Sequence, residues 1–336
     1  MVSKIEKPTS PVTANDYVSL FMKSFTSFIY NVLCWFIYGV FWFFSLAPRR
    51  WLRWLSAGLY VLLCKVVRYR RDVVLQNLSR AFPTKNYSEI IVLTRLFYLH
   101  FSSLLTGVLE LFSISSEALK KRVRLENPDI LHKYLQKGRD LIVVTGHYGN
   151  WEYLNILPEI TEYDVYAIYK PMRSGLAAAL SRRFRSRFGM KLIPAGQAAR
   201  KLMRPSARPR LAILIGDQYP GTTAARDFNF MNQQTAAFAG AEKMARATGA
   251  VVLYLEMTSH QSGCWELRHS VITETPGGCL PGEITAVFLD KLQASIVRRP
   301  ELWLWSHRRW KHPGNLPVEL QAAGPSRSER PEYRAV

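Results

Sequence analysis

Residues 24–47 carry no charge, and 28–46 form a nearly unbroken run of Phe, Trp, Tyr, Ile and Val. That is about the length a helix needs to cross the apolar core of a bilayer. The run is too long for the core of a cleaved leader, and Ser45 and Ala47 are followed at once by Pro48, a poor cleavage context, so the pattern predicts a membrane-anchor helix over 24–47. The apolar stretch 59–67 is too short to span and predicts a segment lying along the interface. Residues 75–82 read as a short helix stopped by Pro83, and Ser88 as the cap of a longer apolar helix running to about Phe112. Beyond it the pattern alternates. Strand-like runs at 141–145, 165–169, 191–194, 211–215, 251–257 and 266–273 have helix-like runs at 176–188, 197–204, 236–248 and 284–298 between or after them. The predicted fold class is α/β: a central, mostly parallel or mixed sheet with flanking helices, preceded by an N-terminal membrane-anchor helix and a helical region. The corresponding segments are a polar N-terminus (1–23), the anchor (24–47), an interfacial and helical region (48–112), the α/β domain (113–313) and a tail rich in Pro, Arg, Glu and Ser (314–336) that reads as loosely ordered.

Composition supports a large core, since 48% of the 336 residues are hydrophobic. Cys34, Cys64, Cys264 and Cys279 have neither metal-ligand nor redox spacing and read as packing residues in a reducing compartment. The net charge of +20 is more telling. Arg49, Arg50, Arg53, Lys65, Arg68, Arg70 and Arg71 follow the anchor before the first acid, Asp72, which by the positive-inside rule puts the body of the protein in the cytoplasm. Between Asp164 and Asp217 about a dozen Lys and Arg occur with no acid among them. Arg183 and Arg185 lie on the helix predicted at 176–188, where guanidinium forks suit phosphate oxygens. A phosphorylated lipid headgroup is the natural ligand. Nucleic acid is the other polyanion, but no helix-turn-helix, zinc-finger or RNA-recognition pattern accompanies the charge, and the apolar anchor points to a membrane.

The candidate chemistry lies in Thr145-Gly146-His147-Tyr148-Gly149-Asn150-Trp151-Glu152, between a predicted strand and a predicted helix. Asn150 reads as the helix N-cap, which puts Glu152 in the first turn, where free N–H groups favour a carboxylate. An imidazole and a carboxylate separated by one tight turn can meet: the carboxylate holds one ring nitrogen protonated and leaves the other free to take a proton from an attacking hydroxyl. His147 and Glu152 are therefore the candidate catalytic pair. A histidine and a glutamate at this spacing are also common in purely structural turns; the flanking Gly146 and Gly149, which allow close approach, favour a site. Asp217, like His147, follows a predicted strand, so in a parallel sheet both emerge on the carboxyl edge where ligands bind; capping the next turn is its alternative role. Trp303, Trp305 and Trp310, with Arg308, Arg309 and Lys311, form an aromatic and basic segment suited to bracing the fold or to a membrane interface. Gly-x-Ser-x-Gly, phosphate-loop, dinucleotide-loop and His-Glu-x-x-His patterns are absent.

The segment Gly146–Glu152 resembles the signature of the lipid A late acyltransferase family, membrane enzymes that move a fatty acyl chain from a carrier thioester to a lipid hydroxyl. Four further segments agree in order: Asn77-Leu78-Ser79-Arg80-Ala81-Phe82-Pro83, Tyr169-Lys170-Pro171-Met172, Arg183-Phe184-Arg185 ahead of Phe188-Gly189, and Gly216-Asp217-Gln218. A fifth joins Pro300-Glu301-Leu302-Trp303-Leu304-Trp305 to His307-Arg308-Arg309-Trp310-Lys311, so the likeness spans roughly 25 to 312. The stretch from Tyr219 to Asn232, with Ala224-Ala225 and Arg226-Asp227, departs from the pattern. The resemblance implies an acyltransferase at the cytoplasmic face of a bacterial inner membrane. His147 is then the general base and Glu152 its orienting partner. Asn150, Arg183, Arg185, Asp217, Gln218 and Arg309 are candidates for substrate binding. Backbone N–H groups near Asn150 or a nearby Arg are candidate donors to the developing oxyanion. It further implies acyl carrier protein as donor partner, an anionic glycolipid or phospholipid as acceptor, and no cofactor or metal. A lipid-ester hydrolase using the same pair, an acyltransferase for another membrane lipid, and a non-enzymatic basic membrane protein remain alternatives. Release of free fatty acid without acceptor marks the hydrolase, and function that survives His147→Ala marks the binding protein.

Overall fold

The structure is a computed structural model that describes residues 14–172, 174–220, 227–261 and 263–310. The expectation for the tail at 314–336, Lys311, residues 1–13 of the polar N-terminus and 221–226 of the departure after Tyr219 lie outside them.

The N-terminal region is helical. α1 (Ala14–Ser45) contains the charge-free run from residue 24 to its end at Ser45, two residues short of the expected anchor, and presents Trp35, Phe36, Phe43 and Phe44 outward. Pro48, which cannot continue the hydrogen-bond ladder, precedes α2 (Arg49–Tyr60), and a π-helical turn, Val61–Val66, continues it. The segments 29–45 and 49–66 are bent by 109°. α3 (Arg71–Ala81) leads to α4 (Tyr87–Glu110), whose cap is Asn86 and not Ser88. The Asn86 side chain accepts from the Glu89 N–H at 3.0 Å, and the Glu89 carboxylate accepts from the Asn86 N–H at 2.9 Å, a reciprocal pair that Ser88 cannot form. Among the described residues α4 is the one helix long and apolar enough by itself to cross a membrane; nearly half of that stretch, 44%, is buried in the protein, so it also serves as a core helix. The bent α1–α2 pair passes the same test only when taken together.

The α/β body follows as α5 (Ser116–Lys120), β1 (Val123–Leu125), α6 (Asp129–Gln136), β2 (Leu141–Thr145), a 3₁₀ segment Trp151–Ile156, α7 (Leu157–Ile160), β3 (Asp164–Tyr169), α8 (Gly175–Arg185), β4 (Lys191–Pro194), α9 (Ala195–Leu202) and β5 (Arg210–Ile215). A hairpin of β6 (Asp227–Phe230) and β7 (Gln233–Ala236) precedes α10 (Gly240–Thr248), β8 (Val251–Gln261), β9 (Cys264–Thr273) and α11 (Glu283–Arg298). Seven strands form one sheet in the order β1-β9-β8-β2-β5-β3-β4, parallel except for the β8–β9 pair, with helices flanking it. All of β2 is buried, which is why its sequence is a continuous apolar run. β1, α5, α6 and the β6–β7 hairpin fall outside the sequence expectation, and two further elements differ from it. β1 is too short to carry a pattern. The run 236–248 yields its first residue to β7 and becomes helical at Gly240. Trp151–Ile156 is 3₁₀, and Asn150 makes no side-chain cap bond there.

The register that matters is Thr145 opposite Ile215. His147 and Asp217 each lie two residues beyond the ends of these paired parallel strands, so they leave the sheet side by side.

Candidate active site

Asp217 is the centre of the site. Its Oδ1 lies 2.6 Å from His147 Nδ1, while Oδ2 accepts from the His147 backbone N–H at 2.8 Å and from the Trp303 indole N–H at 2.7 Å. The residue is 2% exposed. Burial alone would push its carboxyl up; the His147 ring, the His147 N–H and the Trp303 indole outweigh that and hold it below the ordinary carboxylate range. An ionised Asp217 can only accept, so it sets Nδ1 as the protonated ring nitrogen and leaves a lone pair on Nε2. The amide Nε2 of Gln218 sits 3.3 Å from that lone pair. The ring is otherwise fixed edge-on against Trp151, with centroids 5.0 Å apart, and the His147 side chain keeps 18% of its surface open.

Both glycines of the turn are required. A Cβ at Gly146 would sit 2.7 Å from Leu292 Cδ1 of α11 and 3.2 Å from Asp217 Oδ2, obstructing the carboxylate's approach to the His147 N–H. Gly149 has φ +69°, and a Cβ there would lie 2.9 Å from the Trp265 ring.

The C-terminal segment braces this turn. Leu304 N–H donates to the His147 carbonyl at 3.1 Å, and Gly149 N–H to the Leu302 carbonyl at 3.0 Å. Asn77 of α3 ties the segment down through its amide to the Trp305 and His307 carbonyls, at 2.8 and 2.9 Å. Trp303 meets Trp305 edge to face at 4.7 Å and Phe230 at 5.8 Å, so its indole N–H is held toward Asp217 by packing on two sides. The aromatic segment expected either to brace the fold or to sit at a membrane interface does the former, and one of its rings enters the site.

Glu152 does not meet His147 in the expected way. The 3₁₀ turn carries its carboxylate to α8, where Arg185 grips it in a two-pronged bond, Nε to Oε2 at 2.9 Å and Nη2 to Oε1. The same contact removes Arg185 from the free cations expected to hold a headgroup. Arg183 is also engaged: its guanidinium stacks 3.5 Å above the Trp35 ring and lies 5.5 Å from the Tyr38 ring, joining α8 to α1. Arg187 donates to the carbonyls of Leu111 and Ile114. The acid-free stretch thus spends much of its charge inside the protein. Arg309 is fully buried, with Nη1 donating to Thr235 Oγ1 at 2.6 Å and Nη2 to the Ala236 carbonyl at 2.7 Å, and burial pushes it down to about 10. It braces the β6–β7 hairpin and is closed to substrate. Asn150, 4% exposed, packs against Gly107 of α4, where a Cβ would lie 2.6 Å from its Nδ2.

Sequence reasoning missed two functional contacts, the Trp303 bond to Asp217 and the Glu152–Arg185 pair. The first was within reach, because Trp303 lies in the aromatic and basic segment legible in the sequence. The second joins residues 33 apart across the sheet edge, and no local pattern encodes it. Among the described residues no cluster of His, Cys, Asp and Glu could hold a metal ion.

A largely parallel sheet with a carboxylate-backed histidine at its carboxyl edge defines a site for taking a proton from a nucleophile. The family model of bacterial lipid A biosynthesis acyltransferases matches residues 20–312, most of the chain, and the chain belongs to that family. No curated protein matches it.

Proposed function

We propose that the chain transfers a fatty acyl group from an acyl carrier protein thioester to a hydroxyl of a lipid A precursor or a closely related membrane lipid, at the cytoplasmic face of a bacterial inner membrane. The observation that carries the reading is the fixed tautomer of His147, protonated toward Asp217 and bearing a lone pair on Nε2. An acceptor hydroxyl replacing the Gln218 amide at that lone pair gives its proton to Nε2 as its oxygen attacks the thioester carbonyl carbon. Asp217 stabilises the resulting imidazolium, a differential gain that lowers the barrier without a change in its own protonation. The tetrahedral intermediate then expels the carrier thiolate, which takes the proton from Nε2, and the ester is released. Glu152 keeps Arg185 fixed, and the Arg185 Nη1, which Glu152 leaves free, is a donor suited to the oxyanion.

Membrane attachment is supported by the exposed rings of α1 and by Trp51 and Trp54 of α2 among Arg49, Arg50 and Arg53. The net charge of +20 suits encounter with an acidic carrier protein. The test is transfer by the purified protein from the same acyl chain on carrier protein or coenzyme A, read by mass spectrometry of the acceptor. Acylated lipid should form with the carrier preferred, an advantage that shrinks as salt rises. Fatty acid release without acceptor, or preference for coenzyme A across the salt range, contradicts the reading.

A further inference from the structure

α8 stands between the N-terminal helix α1 and the catalytic turn, and it is lightly held. Of its 11 residues only Phe184 is buried, and among the described residues its only side-chain hydrogen bonds beyond its own segment are those of Arg185 to Glu152. Its main packing neighbour is α1. Contact starts at the first residue of α8, where a Cβ on Gly175 would sit 2.8 Å from the Tyr30 hydroxyl. Further along, the Arg183 guanidinium lies over the Trp35 and Tyr38 rings, and its buried Nη1 has no hydrogen-bond partner, so the ring faces are what balance its charge there. Phe184 packs on Phe112, which in turn meets Tyr38 and Phe41 of α1 at 5.2 and 5.3 Å. The same face of α1 buries Cys34, one turn from both Tyr30 and Tyr38, so that side of the helix is seated on the protein. Arg183 and Arg185 are two positions apart, hence about 200° apart around α8. One reaches α1 and the other Glu152, and a roll of α8 about its axis breaks both contacts together.

We propose that Trp35 and Arg183 are positioning residues for the transfer reaction: their stack fixes the rotation of α8 and thereby holds the Arg185 guanidinium at Glu152. α1 is then a working part of the active site as well as an attachment, and the rate of transfer depends on how α1 is seated. This coupling matters for the chemistry only if Arg185 serves the oxyanion as proposed above, whereas the seating of α8 can be measured without any acyl transfer, so the two can fail separately.

The experiment compares full-length wild type, Trp35→Leu, Trp35→Phe, Arg183→Gln and Phe36→Leu in one detergent, by hydrogen exchange of the amides from 176 to 185 and by steady-state transfer. Phe36, 68% exposed on α1, controls for the loss of an outward ring. Trp35→Leu and Arg183→Gln should each speed exchange in that segment about tenfold and lower kcat about tenfold, the factor a partly desolvated cation–π contact typically carries, with KM for donor and acceptor within about twofold of wild type. Trp35→Phe keeps a ring face and should restore most of both. Trp35→Leu combined with Arg183→Gln should be no worse than the worse single variant. Unchanged exchange in Trp35→Leu would overturn the proposal, as would faster exchange with wild-type kcat or an equal loss in Phe36→Leu. An effect of Arg183→Gln confined to KM would also overturn it and return that arginine to substrate binding. Absence of transfer by wild type would overturn the proposed reaction and with it the role in catalysis, while exchange still reports whether the stack seats α8.

Discussion

Two carboxylates emerge near the carboxyl edge of the sheet, and they obey different rules. Glu152 is five residues from His147 in sequence, yet it belongs to Arg185; Asp217 is seventy residues away, yet it holds His147 twice, at the imidazole Nδ1 and at the backbone N–H. Parallel register explains the second pairing, since equal offsets from Thr145 and Ile215 place the two residues side by side whatever the length of chain between them. Charge explains the first. Glu152 is 8% exposed, and a carboxylate so buried requires a cation. Nearness in sequence puts a side chain in the neighbourhood, but the strands and the need to neutralise buried charge decide what it meets.

The comparison is broken most severely at the histidine itself. His147→Ala should lower kcat by about four orders of magnitude and Asp217→Asn by about three, because the amide keeps the volume but no longer fixes the tautomer. Equal KM for the acceptor in both variants, with the fold checked by circular dichroism, would confirm that binding is untouched. A kcat within tenfold of wild type for Asp217→Asn removes Asp217 from the mechanism.

Glu152 and Arg185 should behave as one unit. Glu152→Gln and Arg185→Met are each expected to cost about 3 kcal/mol of stability, since each strands a buried charge or its partner, and to lower kcat about a hundredfold. The double variant should be no worse than the worse single one. Additive losses in a double-mutant cycle would show that each acts separately. Trp303→Phe is a milder probe of the other carboxylate. It deletes one of three donors to Asp217 and should reduce kcat about tenfold, with Tm lowered by a few degrees.

The histidines extend the contrast. His269 is 2% exposed, both its ring nitrogens lack partners, and burial holds it down to about 4. An unfolded chain takes up this proton as pH falls through about 6.5, while the folded chain does so only near 4, so stability is lost across that window, by at most about 3 kcal/mol. Asp217 acts lower. Its folded carboxyl lies below the ordinary value of about 4, so its contribution is intact above that pH and is lost only as pH falls further. His269→Leu should therefore flatten the stability profile between pH 6.5 and 4 in denaturant titrations, and an unchanged slope would assign the acid sensitivity elsewhere.

Much of this architecture is legible in the sequence. The buried strands announce themselves as apolar runs between glycines, and the six longer strands of the main sheet fall where the pattern puts them. β1 escapes because three residues carry no periodicity, and the β6–β7 hairpin because polar Gln233 and Gln234 hide it. Within the site, His147 and Asp217 are marked by their positions after strands. Arg183 and Arg185 read as free cations because the sequence does not show that Trp35 and Glu152 would claim them. Arg309 looks like a surface charge in a basic segment until the hairpin closes over it.

The central claim is that Asp217, and not Glu152, holds the proton on His147 Nδ1. The proton NMR spectrum of protein labelled with ¹⁵N at histidine reads that bond directly, as a far-downfield resonance coupled to the ring nitrogen. The resonance should be present in wild type and in Glu152→Gln, and absent in Asp217→Asn and His147→Ala. A resonance that survives Asp217→Asn but disappears in Glu152→Gln would contradict the account.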